Sequence, residues 1–217
     1  MITPQDINVL IACEESQVEC KAFRALGCNA YSCDIQPCYG GHPEWHIQGD
    51  VTPYLDGRTV FKTCDDTWHR VDHWHLVVAH PPCTYLCRIS SVQLVHNGVV
   101  DHARYDKMLE AREFFFHCLA ARADYVAVEN PIPMSRARLP RPSFYTNPNL
   151  FGHKYTKKTL WWVRNLSPVL PTIEHPNPKC FVYCSRGKYR SRTFPNVAEA
   201  CARTWLADIL TDYNILP

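Results

Sequence analysis

Two residues of this chain are placed for chemistry, a cysteine and a glutamate, each just beyond an apolar run. The first lies in AHPPCTYL (79–86), where Pro81 and Pro82 lead into Cys83. Two prolines stiffen a turn and lower the entropy lost in holding the next side chain still. A thiol held there can act as a nucleophile once the local field favours the thiolate. An inert buried thiol is the plainer reading of any single cysteine. The second lies in VENP (128–131), where Glu129 follows another apolar run. If both runs are strands of one parallel sheet, Cys83 and Glu129 emerge at the same edge. A thiol beside a carboxylic acid suits pyrimidine chemistry. The sulfur adds to carbon 6 and the acid donates a proton to nitrogen 3, so carbon 5 becomes nucleophilic enough to take a one-carbon group.

The elements that must position these residues alternate in type. INVLIAC (7–13), NAYSCDI (29–35), WHLVVAH (74–80) and YVAVEN (125–130) read as strands. Residues 17–26 read as a helix closed by Gly27, and residues 101–123 as a second, with apolar residues near the 3.6 period. This pattern predicts an α/β fold of Rossmann-like, doubly wound type, with a mostly parallel sheet over residues 1–133. Residues 134–195 hold ten of the 17 prolines if Pro131 and Pro133 are counted with them, and read as a small basic lobe. That lobe should carry an edge strand at TLWWV (159–163) and another at CFVYC (180–184). Residues 196–217 should form a final helix packed on the core.

Ligands of such a sheet sit at the carboxyl ends of the strands. Glu14 and Glu15 follow the first strand, Asp34 ends the second, and Asp50 follows in GDV. A carboxylate at the position of Asp34 can hold ribose hydroxyls, so together the three acidic points suggest an adenosine-containing cofactor. The turn after the first strand reads ACEESQV and lacks the glycines that bring backbone close to a pyrophosphate. A cofactor without phosphate, such as S-adenosylmethionine, tolerates this better.

The sequence resembles the cytosine carbon-5 methyltransferases of DNA, in particular the short phage and prophage proteins without a large target-recognition domain. Matching segments run in order as NVLIACEES, SCDIQ, QGDV, LVVAHPPCTYL, VAVENP, FGHKYTKKTLWWV and SRTFPNVAEAC. The resemblance implies a class I methyltransferase-like fold and S-adenosylmethionine as cofactor. It also implies Cys83 as nucleophile and Glu129 as acid. Asp34 would bind the cofactor ribose and Asp50 or Val51 the adenine. The turn of Ala12, Cys13, Glu14, Glu15 and Ser16 would take the methionine part, with Ile35 and Pro81 alongside. Pro82, Thr84, Asn130, Lys157 and Lys158 would face the target base or its phosphate, and Arg190 and Arg192 further phosphates. The chain departs from the family in four places. ACEES stands for the glycine-bearing cofactor turn, His75 for an aspartate, and Thr84 for the glutamine after PPC. Only a short stretch separates TLWWV from SRTFPN, where the family carries its recognition domain. Reading a duplex sequence needs an element in the major groove, so a protein partner could supply it.

Charge supports a phosphate-bearing substrate. Residues 1–133 carry a net −7, residues 134–195 a net +11 and residues 196–217 a net −2, for a total of +2. Phe144, Tyr145, Tyr155, Trp161, Trp162, Tyr183 and Tyr189 interleave with the basic block as stacking platforms would, although a tryptophan pair is also common core material. The composition, 46% hydrophobic and 20% charged, excludes wholesale disorder. There is no apolar stretch long enough for a membrane span and no signal-peptide pattern at Met1. The twelve cysteines therefore read as thiols of a cytoplasmic protein. Two Cys/His sets, Cys33–Cys38–His42–His46 and His175–Cys180–Cys184, are chance products of a chain rich in both, and no metal is expected. HPPC also resembles the [D/N]PP[Y/F] signature of amino-methyltransferases, with His80 and Cys83 in the wrong roles and Glu129 left without one. Two further readings stay open. One is the same covalent chemistry on a free pyrimidine nucleotide or with another one-carbon donor. The other is a non-catalytic nucleic-acid- or nucleotide-binding protein on this fold.

Overall fold

The computed structural model describes residues 1–173, 180–181 and 193–215. We number the seven strands of its main sheet β1 (Asn8–Ala12), β2 (Asn29–Asp34), β3 (His46–Gln48), β4 (Leu76–Ala79), β5 (Tyr125–Pro131), β6 (Phe144–Thr146) and β7 (Thr159–Arg164). The helices are α1 (Val18–Ala25), α2 (Thr52–Leu55), α3 (His102–Leu119) and α4 (Pro195–Ile215). The sheet runs β6-β7-β5-β4-β1-β2-β3. The five strands from β5 to β3 are mutually parallel, and β7 is antiparallel to both of its neighbours. The chain winds one way from β1 to β3 and the other from β4 onward. This is a Rossmann-like, doubly wound α/β fold, with its topological switch between β1 and β4.

The apolar runs became strands because both of their faces are covered. Successive side chains of a strand point to opposite faces. Leu10, Ala12, Val77, Ala79, Val126 and Val128 join one core with Met108, Phe115 and Cys118 of α3. Val9, Ile11, Leu76, Val78 and Ala127 join the other with Phe23 of α1 and Trp205 and Ile209 of α4. Trp161 and Trp162 follow the same rule. Each is buried, one on either face, so neither serves as a stacking platform. Their indole N–H groups are satisfied by Thr146 Oγ1 and the Pro140 carbonyl, each at 2.9 Å.

Several elements differ from the sequence expectation. The 159–163 segment lies one strand in from the edge, because Phe144–Thr146 pairs along its outer side. The loop expected at 36–48 ends in the strand β3. Residues Val60–Lys62 and Trp68–Arg70 form a separate hairpin, and Val95–His96 pairs with Val99–Val100. Three-residue strands carry too little pattern to be seen in a sequence. Of the expected 180–184 strand, Cys180–Phe181 pairs with Tyr155–Thr156, and the rest lies outside the described residues.

A long-range contact from β7 holds the end of α3. The Arg164 guanidinium of β7 donates to the carbonyls of Leu119 (3.2 Å), Ala121 (2.8 Å) and Ala123 (2.7 Å). The last carbonyls of a helix lack partners within it and carry the negative end of its dipole. Arg164→Met is expected to destabilise the fold by about 2–3 kcal/mol. A thermal melt should show a drop of roughly 5–10 °C. An unchanged melt would show that water replaces the guanidinium at no cost.

Candidate active site

The site grows from the carboxyl ends of β1, β4 and β5. Beyond Ala12, the chain turns through Cys13, whose φ of +61° lies in the left-handed region. The N–H groups of Cys13 and Glu14 both donate to the Cys33 carbonyl, at 2.7 and 3.3 Å. The buried Glu14 carboxylate then folds forward over the start of α1. It accepts from the N–H of Glu19 at 2.7 Å and of Cys20 at 3.2 Å. A negative group at a helix N-terminus satisfies orphan donors and complements the dipole. Burial, with the Glu19 carboxylate beside it, raises the Glu14 pKa to about 7, against the opposing pull of His80 and the two backbone bonds.

The sign of the resulting pH dependence follows from that rise. The folded value lies above the unfolded value, so this contribution to stability is complete below pH 4.5 and is lost as pH rises through about 7. The loss amounts to about 3 kcal/mol. Urea unfolding of the wild type and Glu14→Gln at pH 5 and pH 8 measures it. The variant should gain stability relative to the wild type by about that amount between the two pH values. A difference independent of pH would mean that Glu14 is ionised throughout.

β4 delivers His80. Its N–H donates to the Ala12 carbonyl at 2.9 Å, which ties the two strand ends together. Its ring bridges two acids, with Nε2 3.1 Å from Glu19 Oε2 and Nδ1 3.6 Å from Glu129 Oε2. Burial disfavours the imidazolium, but the Glu19 and Glu129 carboxylates outweigh it and hold the His80 pKa well above its ordinary value. His80 and Glu19 carried no role in the sequence reading. A histidine directly before PPC was the available signal, and only the crossing of α1 over the strand ends and the pairing of β5 give it partners.

Pro81 is buried and Pro82 exposed. After them the chain makes a single helical turn in which the N–H groups of Leu86 and Cys87 return to the Cys83 carbonyl, at 3.0 and 2.9 Å. That turn places a second thiol beside the first. A hydrogen bond with Cys87, then burial and the Glu129 carboxylate, push the Cys83 thiol up, while the Lys157 ammonium opposes them. Cys87 is drawn down to about 5 by the same bond and by Ser90, whose Oγ lies 2.9 Å away. The pair shares one readily lost proton. Cys87 was missed because nothing in the sequence fixes the turn between the two cysteines.

Glu129 stands opposite Trp161 of β7 and is partly buried. It lines a cleft with Lys157, Thr146, Thr159, Trp161 and Phe194. Lys157 is tied in place through its own N–H, which donates to Asn147 Oδ1 at 2.8 Å. Lys158 instead points outward, its Nζ 4.2 Å from the Tyr145 ring centre. Asn130 is fully buried, and its Oδ1 has no hydrogen-bond partner among the described residues. Thr84 is exposed. Arg190 and Arg192 lie outside the described residues, as do Tyr183 and Tyr189.

The expected cofactor residues gather at the ends of β1 to β3. Asp34 Oδ1 accepts from the N–H of Gln36 at 2.8 Å, and Gly49 N–H reaches the Asp34 carbonyl at 2.9 Å. Ile35 is exposed beside them, and Asp50 Oδ1 accepts from Thr52 N–H at 2.9 Å. The Val51 side chain is part of the core, which leaves only its backbone to face a ligand. Ser16 is buried, and Glu15 is partly exposed. These groups fit an adenosine without a phosphate. The α1 N–H groups that would cradle a pyrophosphate are already taken by Glu14. Asp34 and Asp50 supply acceptors for hydroxyl and amino groups.

The first Cys/His set does not assemble. Cys33 Sγ faces the Gly49 carbonyl and Cys38 Sγ the Gln17 Oε1. Both ring nitrogens of His46 are engaged, by Ser32 and by the Gln36 carbonyl. Of the second set, His175 and Cys184 lie outside the described residues. Asp72, His73 and His75 do cluster, but at the opposite end of β4, and His75 Nδ1 accepts from the Asn8 N–H at 3.1 Å.

No protein family and no curated protein matches this chain. A candidate DNA modification methyltransferase encoded within a prophage of E. coli is among the solved structures that do. It aligns with a TM-score of 0.44 at 13% identity, over 78% of this chain and 52% of its own. The chain therefore spans about half the length of that structure. Among the described residues, no helix is long and apolar enough to cross a membrane.

Proposed function

We propose that this chain methylates carbon 5 of cytosine in DNA, with Cys83 as the nucleophile, Glu129 as the acid and S-adenosylmethionine as the methyl donor. One observation carries the reading. Cys83 follows β4 and Glu129 ends its parallel neighbour β5, so both emerge at one sheet edge, and Lys157 lines the same cleft as Glu129. Bound against Asp34, Ile35 and Asp50, the cofactor would supply an electrophilic methyl group. The protein's own residues prepare the base. The Cys83 thiol gives its proton to the hydrogen-bonded Cys87 thiolate as its sulfur adds to carbon 6, and the ring electrons move toward nitrogen 3, which takes a proton from the Glu129 carboxyl. Carbon 5 is thereby made electron-rich. His80 holds the Glu129 carboxyl in place, and Lys157 offers its charge to the base or its phosphate. Release needs the carbon-5 proton to leave and the carbon–sulfur bond to break.

Intact-mass analysis with 5-fluorocytosine substrates tests this. Fluorine at carbon 5 blocks that last proton loss, so the enzyme stays covalently attached. Single-stranded DNA, duplex DNA and the deoxynucleotide, each with S-adenosylmethionine, would be offered in parallel. A methylated adduct with DNA supports the reading. Capture of the free nucleotide alone would move the substrate to the monomer. No adduct with any substrate overturns it.

A further inference from the structure

Next to this centre lies a groove of about 430 Å³ that none of the assignments above uses. That volume falls within the roughly 300–1,000 Å³ of sites that hold small organic groups. Its walls are the loop after Cys83 and the loop after Glu129. The buried Leu94 and Met134 give it an apolar floor, Ser91 and Ser135 add hydroxyls, and Arg88 and Arg136 come one from each wall.

The two walls are fixed to one another and to the catalytic pair. Arg88 N–H donates to the Ile132 carbonyl at 2.8 Å, and Met134 N–H to the Leu86 carbonyl at 2.7 Å. Cys87 and Pro133 bridge between them. The groove thus keeps a set distance from Cys83 and Glu129. Its charge is uncompensated. Residues 81–100 and 131–142 contain no Asp or Glu, and both guanidinium groups are exposed without a side-chain partner among the described residues. Next to Arg88 and Ser91 in the chain, Ile89 is 64% and Val92 72% exposed. An isolated protein gains nothing by holding two bare guanidinium groups at one cleft with bare aliphatics next to them in the chain.

We propose that this groove holds the nucleotide adjoining the target base, its phosphate between Arg88 and Arg136 and its unpaired base over Leu94 and Met134. The inference rests on reading Cys83 and Glu129 as a pyrimidine centre, and it selects a polynucleotide over a free nucleotide as substrate. A neighbour in the same strand is covalently obliged to lie beside the target base. A monomer has nothing to place there. Arginine forks suit phosphate, and an apolar floor suits the face of a base.

The test is fluorescence anisotropy with a labelled single-stranded deoxyoligonucleotide from 50 to 200 mM salt. The proteins are the wild type, Arg88→Ala, Arg136→Ala, the double variant and Arg70→Ala as a control on the hairpin of residues 60–70. Loss of that one phosphate contact should lower the slope of log K against log salt by about 0.7, so the double variant should lose about 0.7 and each single variant no more than that. The control should lose none. All the replaced side chains are exposed, and a thermal melt confirms that the variants fold. A double variant with wild-type slope and affinity overturns the inference. If that variant also traps 5-fluorocytosine DNA as the wild type does, the pyrimidine chemistry survives without the groove. A lowered slope in a protein that forms no adduct would leave the groove as a polynucleotide site and remove the chemistry instead.

Discussion

Replacing Cys83 by serine is expected to abolish the covalent adduct and to lower methyl transfer by at least about 10³-fold. A hydroxyl is a far weaker nucleophile than a thiol at neutral pH and cannot restore addition to carbon 6. The substitution is nearly isosteric at a partly exposed position, so the melting temperature should stay within a few degrees and DNA affinity should persist. That split between lost turnover and kept binding separates an enzyme from a binding protein. Peptide mapping of the wild-type adduct decides a further point. Cys87 lies one turn away and carries the more acidic thiol of the pair, so an adduct found on Cys87 would refute the assignment of Cys83. Activity that survives in Cys83→Ser would refute it equally.

The second large effect concerns His80. His80→Leu removes the cation that lies between Glu19 and Glu129. Glu19 is fully buried, and one of its oxygens already lacks a partner among the described residues. Stranding a buried carboxylate costs about 3–5 kcal/mol, or a fall of roughly 10 °C in melting temperature for a chain of this size. The sign with pH follows from the raised pKa of His80. Its contribution is complete below the ordinary histidine value and fades only as pH climbs through the higher folded value, so at pH 7 the wild type still has it. In the variant, acid should recover part of the loss, because Glu19 can then take up a proton. Melts of both proteins should show the gap widening from pH 5 to pH 6.5, the span over which the His80 contribution is complete. A gap that is small and constant would mean that the site tolerates Glu19 without its partner, and would refute the buried pair.

Some of this architecture was legible in the chain because it depends on local pattern. Unbroken apolar runs such as Val9–Ala12 and Leu76–Ala79 can only be strands covered on both faces, and their alternation with helical segments already implied a parallel sheet. Strand ends then gave the edge where Cys83 and Glu129 had to emerge. The final helix was readable from its apolar period.

What the sequence could not supply was anything set by pairing across distance. The seating of β7 between β5 and β6 depends on hydrogen bonds with Phe144–Thr146, a segment too short to announce itself. The burial of both Trp161 and Trp162 follows from that seat, since a strand inside the sheet has two covered faces and an edge strand between basic loops need not. Glu14 read as a ligand contact, but α1 turns its N-terminus toward the carboxylate and takes it for a cap. His80 becomes the hub of the site only because α1 brings Glu19 across the strand ends and β5 brings Glu129. The Arg88–Arg136 groove exists only because two loops, well apart in the chain, are tied by two backbone bonds. Local composition determines which elements form and where their ends lie. The environment of each side chain at those ends is decided by what the fold packs against it.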